Sequence, residues 1–479
     1  MHTATLTTFV VYIIGVILLG IIAYRKTHNF ADYVLGGRQL GSVVTALSVG
    51  ASAMSGWLLL GLPGALYAKG ISQIWLVIGL LLGAYLNWLF VASRLRVYSE
   101  KANDSITLPD FFHNRFQDKS HLLRIISATA ILLFFTFYIS SGLVSGAILF
   151  ENSFGWSYQS ALWIGAIVII IYTFIGGFWA VCWTDVLQGI LMILALIAVP
   201  IVALFQVGGW DVMTTRISYV DPTRLEVFKN MSLLSVISLM GWGLGYFGQP
   251  HVLVRFMAIK KVQEIPTARR ISMSWMTISM IGAVLTGFFG IGYFANNPLS
   301  NPEEVFLELS QLLFNPWIAG ILLAAILSAI MSTIDSQLLV SSSAVTEDFY
   351  RVFWRKNASQ TELMWVGRFA VLMIAMIALI LAHNPQNTVM ELVGYAWAGL
   401  GCSFGPVILF SLFWSRVTRN GALAGMIVGA VTVVIWERLT VFEVIPFSLY
   451  EMVPAFILSS LAIVGISLLD KTPAHSNSD

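Results

Sequence analysis

The chain has 479 residues, 58% of them apolar and only 10% charged, with a mean hydropathy of +0.83. Soluble domains carry about 25% charged residues, so this composition excludes an ordinary soluble enzyme and predicts a polytopic all-α membrane protein. A net charge of +2 gives no basis for a nucleic-acid partner, and two isolated cysteines, Cys182 and Cys402, exclude a disulfide framework.

The first apolar run, TATLTTFVVYIIGVILLGIIAY, has no basic leader and no small-residue cleavage site before it. It is expected to stay as a first helix over 5–24 rather than act as a cleaved signal. Further apolar segments follow at 42–65, 71–93, 123–150, 159–177, 185–206, 231–254, 272–294, 316–345, 366–383, 389–414, 421–440 and 450–468. That predicts about thirteen membrane helices. Alternating their sides leaves five basic residues on one face (Lys69, Arg216, Arg224, Lys229 and Arg438) and the other twenty-one of the 26 on the opposite one. The positive-inside rule then puts the N-terminus outside and the C-terminus in the cytoplasm. Between helices, NPEEVFLELSQLL at 301–313 has acidic residues early and apolar ones late, which predicts an amphipathic external helix.

Two segments are interrupted by glycine at membrane depth: LSVGASAMSGWLLL at 47–60 and MGWGLGYFGQPH at 240–251. Glycine costs about 1 kcal/mol in a helix interior, and unwound backbone survives in lipid only where it lines a cavity or is buried in protein. Paired breaks in two halves of a chain point to the binding site of a secondary transporter. At the first break, small residues around Ser55 and the freed carbonyls of Ala51 and Met54 suit a cation; close helix packing is the competing reading. At the second, Trp242 and Tyr246 lie four apart and would share a helical face or flank an unwound turn. They offer either aromatic walls for a small solute or ordinary core packing.

In the ninth segment, Ser328, Ser332, Asp335 and Ser336 fall at i, i+4, i+7 and i+8, one face of a helix. An intramembrane carboxylate is expensive to leave unpaired and marks a functional position. Hydroxyls beside free carbonyls provide the oxygen ligands that hard cations take. Asp185 stands at the expected start of the sixth helix, either as an N-cap or as a second ion or proton position. Glu391 is expected at an interface, and His251 and Arg255 at a cytoplasmic helix end with no transport role. No Walker loop, metal cluster or activated nucleophile occurs, so neither an enzyme nor an ATP-driven pump is expected, and no catalytic residue or organic cofactor. A passive channel would show a continuous polar stripe through several helices instead of two breaks, and a sensor would need an output domain after Leu469.

In these strings, and in NFADYVLGGRQLG, YTFIGGFWAVCWTD, NPWIAGILLAAILSAIMST and SRVTRNGALAGM, the chain resembles the sodium/solute symporter family, most closely its bacterial proline-carrying members, over nearly its whole length. The resemblance implies a leucine-transporter-like fold in a single membrane domain. Two inverted five-helix repeats would span 42–206 and 231–414, preceded by the helix at 5–24 and followed by two helices over 421–468. It also implies a sodium site on the carbonyls of Ala51, Met54 and Ala329 and the hydroxyls of Ser332 and Thr333. A substrate site would fall on Ser55, Gly56, Trp57, Tyr138, Trp242, Tyr246, Gln249 and Pro250. A second ion position would involve Asp185, Ser332, Asp335 and Ser336. The implied function is Na+-coupled import of L-proline across a bacterial inner membrane. Na+ is then the coupling ion, the lipid bilayer the surroundings, and no obligate protein partner is expected. Na+ or H+ symport of another amino acid, pantothenate or a sugar acid is the alternative. In one respect the chain departs from the members it resembles: Ala53 stands where they carry aspartate, and Asp335 where they carry serine. The carboxylate thus shifts from the second segment to the ninth.

Overall fold

Lipid offers backbone amides no partner outside their own chain, so each long apolar run closes its hydrogen bonds as a helix. The computed structural model describes residues 3–175, 177–228, 231–384, 387–441 and 449–470. Within them the helices that position the site are α1 (Thr3–Tyr24), α2 (Ser42–Met54), α3 (Gly61–Lys69), α4 (Ile71–Lys101), α5 (Leu122–Phe154), α6 (Tyr158–Ile175) and α7 (Phe178–Val207). After them come α8 (Leu233–Met240), α9 (Pro250–Ala258), α10 (Ile265–Tyr293), α11 (Pro316–Ser343), α12 (Gln360–Ala382), α13 (Val389–Phe413), α14 (Arg419–Val441) and α15 (Met452–Leu469). Among the described residues ten helices are long and apolar enough to cross a membrane, or eleven when α2 and the helix after it count as one span. That pair bends by 73°. Two shorter apolar helices, Tyr158–Ile171 and Leu233–Gly248, accompany them. Lys229 and Lys471, two of the basic residues sorted above, lie outside the described residues.

Both glycine-marked breaks are real interruptions. Helix α2 stops at Met54, and Ser55 adopts φ +34°, ψ −171°, a left-handed conformation unusual for a residue with a Cβ. A short 3-10 turn, Gly56–Leu58, leads into α3. The second break is an eight-residue 3-10 helix, Gly241–Gly248, with Pro250 starting α9 at a position where proline's missing N–H is harmless. The two broken helices are tied together at one end. Leu40 and Ile259 form a β-bridge just before α2 and just after α9, and Arg38 donates to the Met257 carbonyl at 2.7 Å.

That end of the bundle carries paired basic residues. Arg38 pairs with Asp104, Arg124 with Asp110, and Arg419 with Asp118. At the opposite end the Thr5 hydroxyl donates to the Pro316 carbonyl, joining the starts of α1 and α11. The expected helix after residue 301 forms as Val305–Leu313, but it buries Val305, Phe306, Leu307 and Leu309 against the protein. The Glu303 carboxylate before it accepts the Val389 and Met390 amides, capping α13. Glu391 forms the capping box of the same helix with Thr388.

The second break packs closely on α4 where α4 carries glycine. A Cβ on Gly83 would collide with the backbone of Gly243, and one on Gly79 with that of Met240. Because the obstacle is backbone, neither can yield easily. Gly83→Ala is therefore expected to lower the thermal midpoint of the detergent-solubilised protein by the equivalent of about 1–3 kcal/mol, the typical cost of overpacking. Gly15→Ala, where a Cβ inside α1 meets nothing within 4 Å, is expected not to lower it and to raise it by the equivalent of up to about 1 kcal/mol.

Candidate functional site

The break in α2 rearranges hydrogen bonds between α2 and α11. The Ser55 N–H would continue the helix by bonding the Ala51 carbonyl. Instead it donates to the Thr333 hydroxyl at 2.9 Å, and that hydroxyl donates to the Ser52 carbonyl at 3.0 Å. The Ala51 carbonyl receives the Ser332 hydroxyl at 3.1 Å, shared with the Ala329 carbonyl at the same distance. Ala51, Ala329, Ser332 and Thr333 are thus gathered around one break, all buried. Met54 ends α2 beside them. Carbonyl and hydroxyl oxygens without a fixed charge are the donor set that a hard monovalent cation takes.

One turn further along α11 lies a charged cluster. Asp185 is fully buried, and it is not an N-cap: α7 starts at Phe178 with Gly177 as its cap, so Asp185 sits two turns inside. Its Oδ2 accepts from Ser48 at 2.6 Å and from Arg255 at 3.0 Å. Arg255 stands in the last turn of α9, at the end of the bundle that carries the paired basic residues, but it is only 1% exposed. Its guanidinium donates to Ser48 at 2.5 Å, to Ser336 at 2.6 Å and to the His251 carbonyl at 2.6 Å. The break at 241–249 accounts for the burial, because α9 is a separate helix whose whole length is buried. Asp335, fully buried in the same helix face as Ser332 and Ser336, has no hydrogen-bond partner on either carboxylate oxygen among the described residues. The first helix reaches this region too: Gln188 of α7 donates to the Tyr12 hydroxyl at 3.2 Å, and its Oε1 has no partner among the described residues.

The predicted substrate residues do not form one continuous wall. Trp57 and Trp242 approach with ring centroids 6.5 Å apart. Tyr246, four residues on in a 3-10 helix, turns to a different side and meets Trp397 edge-on at 5.0 Å. There it lines a cavity of about 10 Å3 with Gly50, Ala53, Asn87 and Met276. Ala53 therefore faces α4 and the second break, whereas Ala51 and Ser52 address α11. Asp335 does not occupy the place that a carboxylate at position 53 would take. Asn87, at the start of a π-turn in α4, donates to the Tyr246 carbonyl at 2.9 Å and so satisfies a group freed by the break. Gln249 donates to the Trp397 carbonyl at 3.1 Å, and among the described residues its Oε1 has no partner. The Tyr138 hydroxyl is likewise buried and without a partner among them, with its ring edge-on to His251. Gly56 faces Ser145 and Ile330, and Pro250 is buried. Buried polar atoms without partners cost about 1–3 kcal/mol each, so the unpaired Tyr138 and Gln249 atoms fit a site completed by a polar solute.

Outside Trp242 opens a cavity of about 530 Å3, lined by Phe137, Asn387, Met390, Glu391, Tyr395, Glu437, Arg438, Tyr450 and Glu451. The sequence singled out none of Ser48, Tyr12, Trp397 or Tyr450. Arg255 lies at the helix end expected of it, and its burial is the added finding; a lone arginine in the apolar run PHVLVRFMA is the signal for a buried partner.

Comparison with known proteins bears on the family and the fold. Residues 33–429 match the family model described as the sodium:solute symporter family. The chain is 59% identical over 477 residues to a sodium/proline symporter of Salmonella typhimurium, covering 98% of this chain and 94% of that one. It is 54% identical to the high-affinity proline transporter PutP of Bacillus subtilis, covering 97% and 98% of the two. Among solved structures, a Na+-coupled sialic acid symporter in a substrate-bound, outward-open state superimposes with a TM-score of 0.83 at 18% identity, over 98% of both chains.

Proposed function

The chain belongs to the sodium:solute symporter family, and from that premise we propose that it imports L-proline together with Na+ by alternating access. The observation that carries the reading is the Ser55–Thr333 contact, which joins the candidate ion ligands to the candidate substrate backbone through one hydrogen bond. The relatives named for sodium and proline supply the identity of ion and solute. Na+ binds among the Ala51, Met54 and Ala329 carbonyls and the Ser332 and Thr333 hydroxyls, and so orders the break. Proline meets the Ser55–Trp57 backbone with its carboxylate, while Trp242, Tyr138, Gln249 and Pro250 shape the rest of its pocket and Tyr246 backs it from the side of α4. Differential affinity of the two ligands for outward- and inward-open forms gives coupling.

The thirteen-span count is completed by the bent α2–α3 pair and the two shorter apolar helices. Two inverted repeats over 42–206 and 231–414 follow, with α1 before them and α14 and α15 after. The paired basic end faces the bacterial cytoplasm, and the cavity outside Trp242 faces outward. No enzymatic step and no organic cofactor enter the cycle.

Asp185, Asp335 and Ser336 form a second ion position in this reading, with Arg255 as the resident cation on Asp185 and Ser336. A contact to a charged group is worth about 1.5–3 kcal/mol, against about 0.5–1.5 kcal/mol for a neutral one. Asp335→Asn is therefore expected to raise the Na+ concentration for half-maximal uptake at least about tenfold. Full Na+-dependent uptake with an unchanged half-maximal concentration would remove Asp335 from the ion path. The function itself is tested by uptake of radiolabelled proline into proteoliposomes under an inward Na+ gradient, competed by other amino acids and repeated with a proton gradient alone. Stimulation by the proton gradient and not by Na+ would make the H+ alternative correct.

A further inference from the structure

The two C-terminal helices lie outside the proposed repeats and carry none of the predicted ligands. One residue at their junction nevertheless holds the second break. Tyr450, immediately before α15, stacks on Trp242 with centroids 5.0 Å apart and planes 15° from parallel. Its hydroxyl donates to the Gly394 carbonyl of α13 at 2.6 Å, and its amide donates to the Ser238 hydroxyl of α8 at 2.7 Å. Trp436 of α14 holds the neighbouring residue, donating to the Leu449 carbonyl at 2.9 Å. Gly394 completes the arrangement, since a Cβ there would come within 3.1 Å of the Trp242 ring. The Trp242 indole is thus confined between the Tyr450 ring and a bare stretch of α13, and Trp57 lies on its inner side. Trp242 and Tyr450 both line the 530 Å3 cavity, so this pair forms the floor between the cavity and the break.

We propose that Tyr450 is the latch of the outer barrier, a positioning residue that keeps Trp242 over the substrate site until the solute enters. The inference rests on the reading of Trp57 and Trp242 as that site's outer wall. The stack fixes the indole's plane, and the hydroxyl fixes the stack to α13. Opening the path from the cavity then requires breaking both contacts, and reclosing them commits the solute inward. The last helix thereby acts on the access step without touching the solute.

Labelling tests this directly and requires no transported substrate. In a background with Cys182 and Cys402 replaced by alanine, Trp57→Cys places a thiol behind the latch and Asn387→Cys places one at the cavity mouth. Right-side-out vesicles are treated, without Na+ or proline, with a membrane-impermeant methanethiosulfonate. Loss of one neutral hydrogen bond in Tyr450→Phe is expected to speed modification at position 57 about threefold. Loss of ring and hydroxyl together in Tyr450→Ala is expected to speed it at least about tenfold. The rate at position 387 should stay constant in both. Equal rates at position 57 in all three proteins would overturn the proposal, as would a change at 387 matching that at 57. Should proline uptake prove absent while the graded response at position 57 holds, the latch stands and the substrate assignment falls.

Discussion

Arg255→Met is expected to abolish proline uptake and to lower the stability of the purified protein by about 3–5 kcal/mol, the cost of leaving a buried carboxylate without its partner. The carboxylate is Asp185, which sits at 0% exposure and keeps one oxygen unpaired even with the arginine present. Ser48 and Ser336 would each lose a charged donor at the same time. Because the damage lies chiefly in the abandoned charge, Asp185→Asn in the Arg255→Met background should recover a large part of the stability. Thermal unfolding of the wild type, the two single variants and the double variant forms a cycle, and a coupling of at least about 2 kcal/mol is expected between the two positions. Additive losses would show that the pair is not energetically linked. Uptake should stay low in the double variant if the cluster also serves the ion, since stability returns but the charges do not.

Thr333→Val carries the second large effect. The hydroxyl bridges the Ser55 amide and the Ser52 carbonyl, so its removal strands one buried donor. That costs about 1–3 kcal/mol, and it also releases Ser55 from a backbone conformation that costs about 1–3 kcal/mol to hold. Both sites share this linkage, so the half-maximal Na+ concentration and the KM for proline should each rise at least about tenfold. Thr333→Ser keeps the hydroxyl and should change both by less than about threefold. A valine variant that raised the Na+ requirement alone would separate the two sites.

Much of this architecture was legible in the chain because membrane physics leaves few choices. Apolar length fixed most helix positions, and α13 lies at 389–413 against an expected 389–414. The glycine runs at 50–56 and 241–248 marked both breaks, since nothing but an internal cavity or tight packing tolerates them. The seryl and aspartyl stripe of α11 was equally readable, because periodicity places Ser332 and Asp335 on one inward face. Arg255 ends its helix as expected, and only its burial was not legible. A charge near the end of an apolar run usually snorkels to the interface, but the second break makes α9 a separate buried helix. Asp185 was placed too near a terminus because α7 begins at Phe178, after the glycines at 176 and 177, and not at 185. Tyr450 gave no signal at all. Its importance comes from a stack across the fold onto Trp242, and no local pattern encodes a contact between residues so distant in sequence.

In the proposed cycle one break, pinned by Thr333, serves both ligands. Linkage requires that two ligands sharing such an element change each other's affinity by the same factor. The direct measurement is equilibrium binding of radiolabelled proline to the purified protein over a series of Na+ concentrations, with the converse titration of Na+ at fixed proline. Saturating Na+ is expected to lower the proline Kd at least about tenfold, saturating proline to lower the Na+ Kd by the same factor, and Thr333→Val to erase both. Proline binding of equal strength with and without Na+ would contradict that linkage.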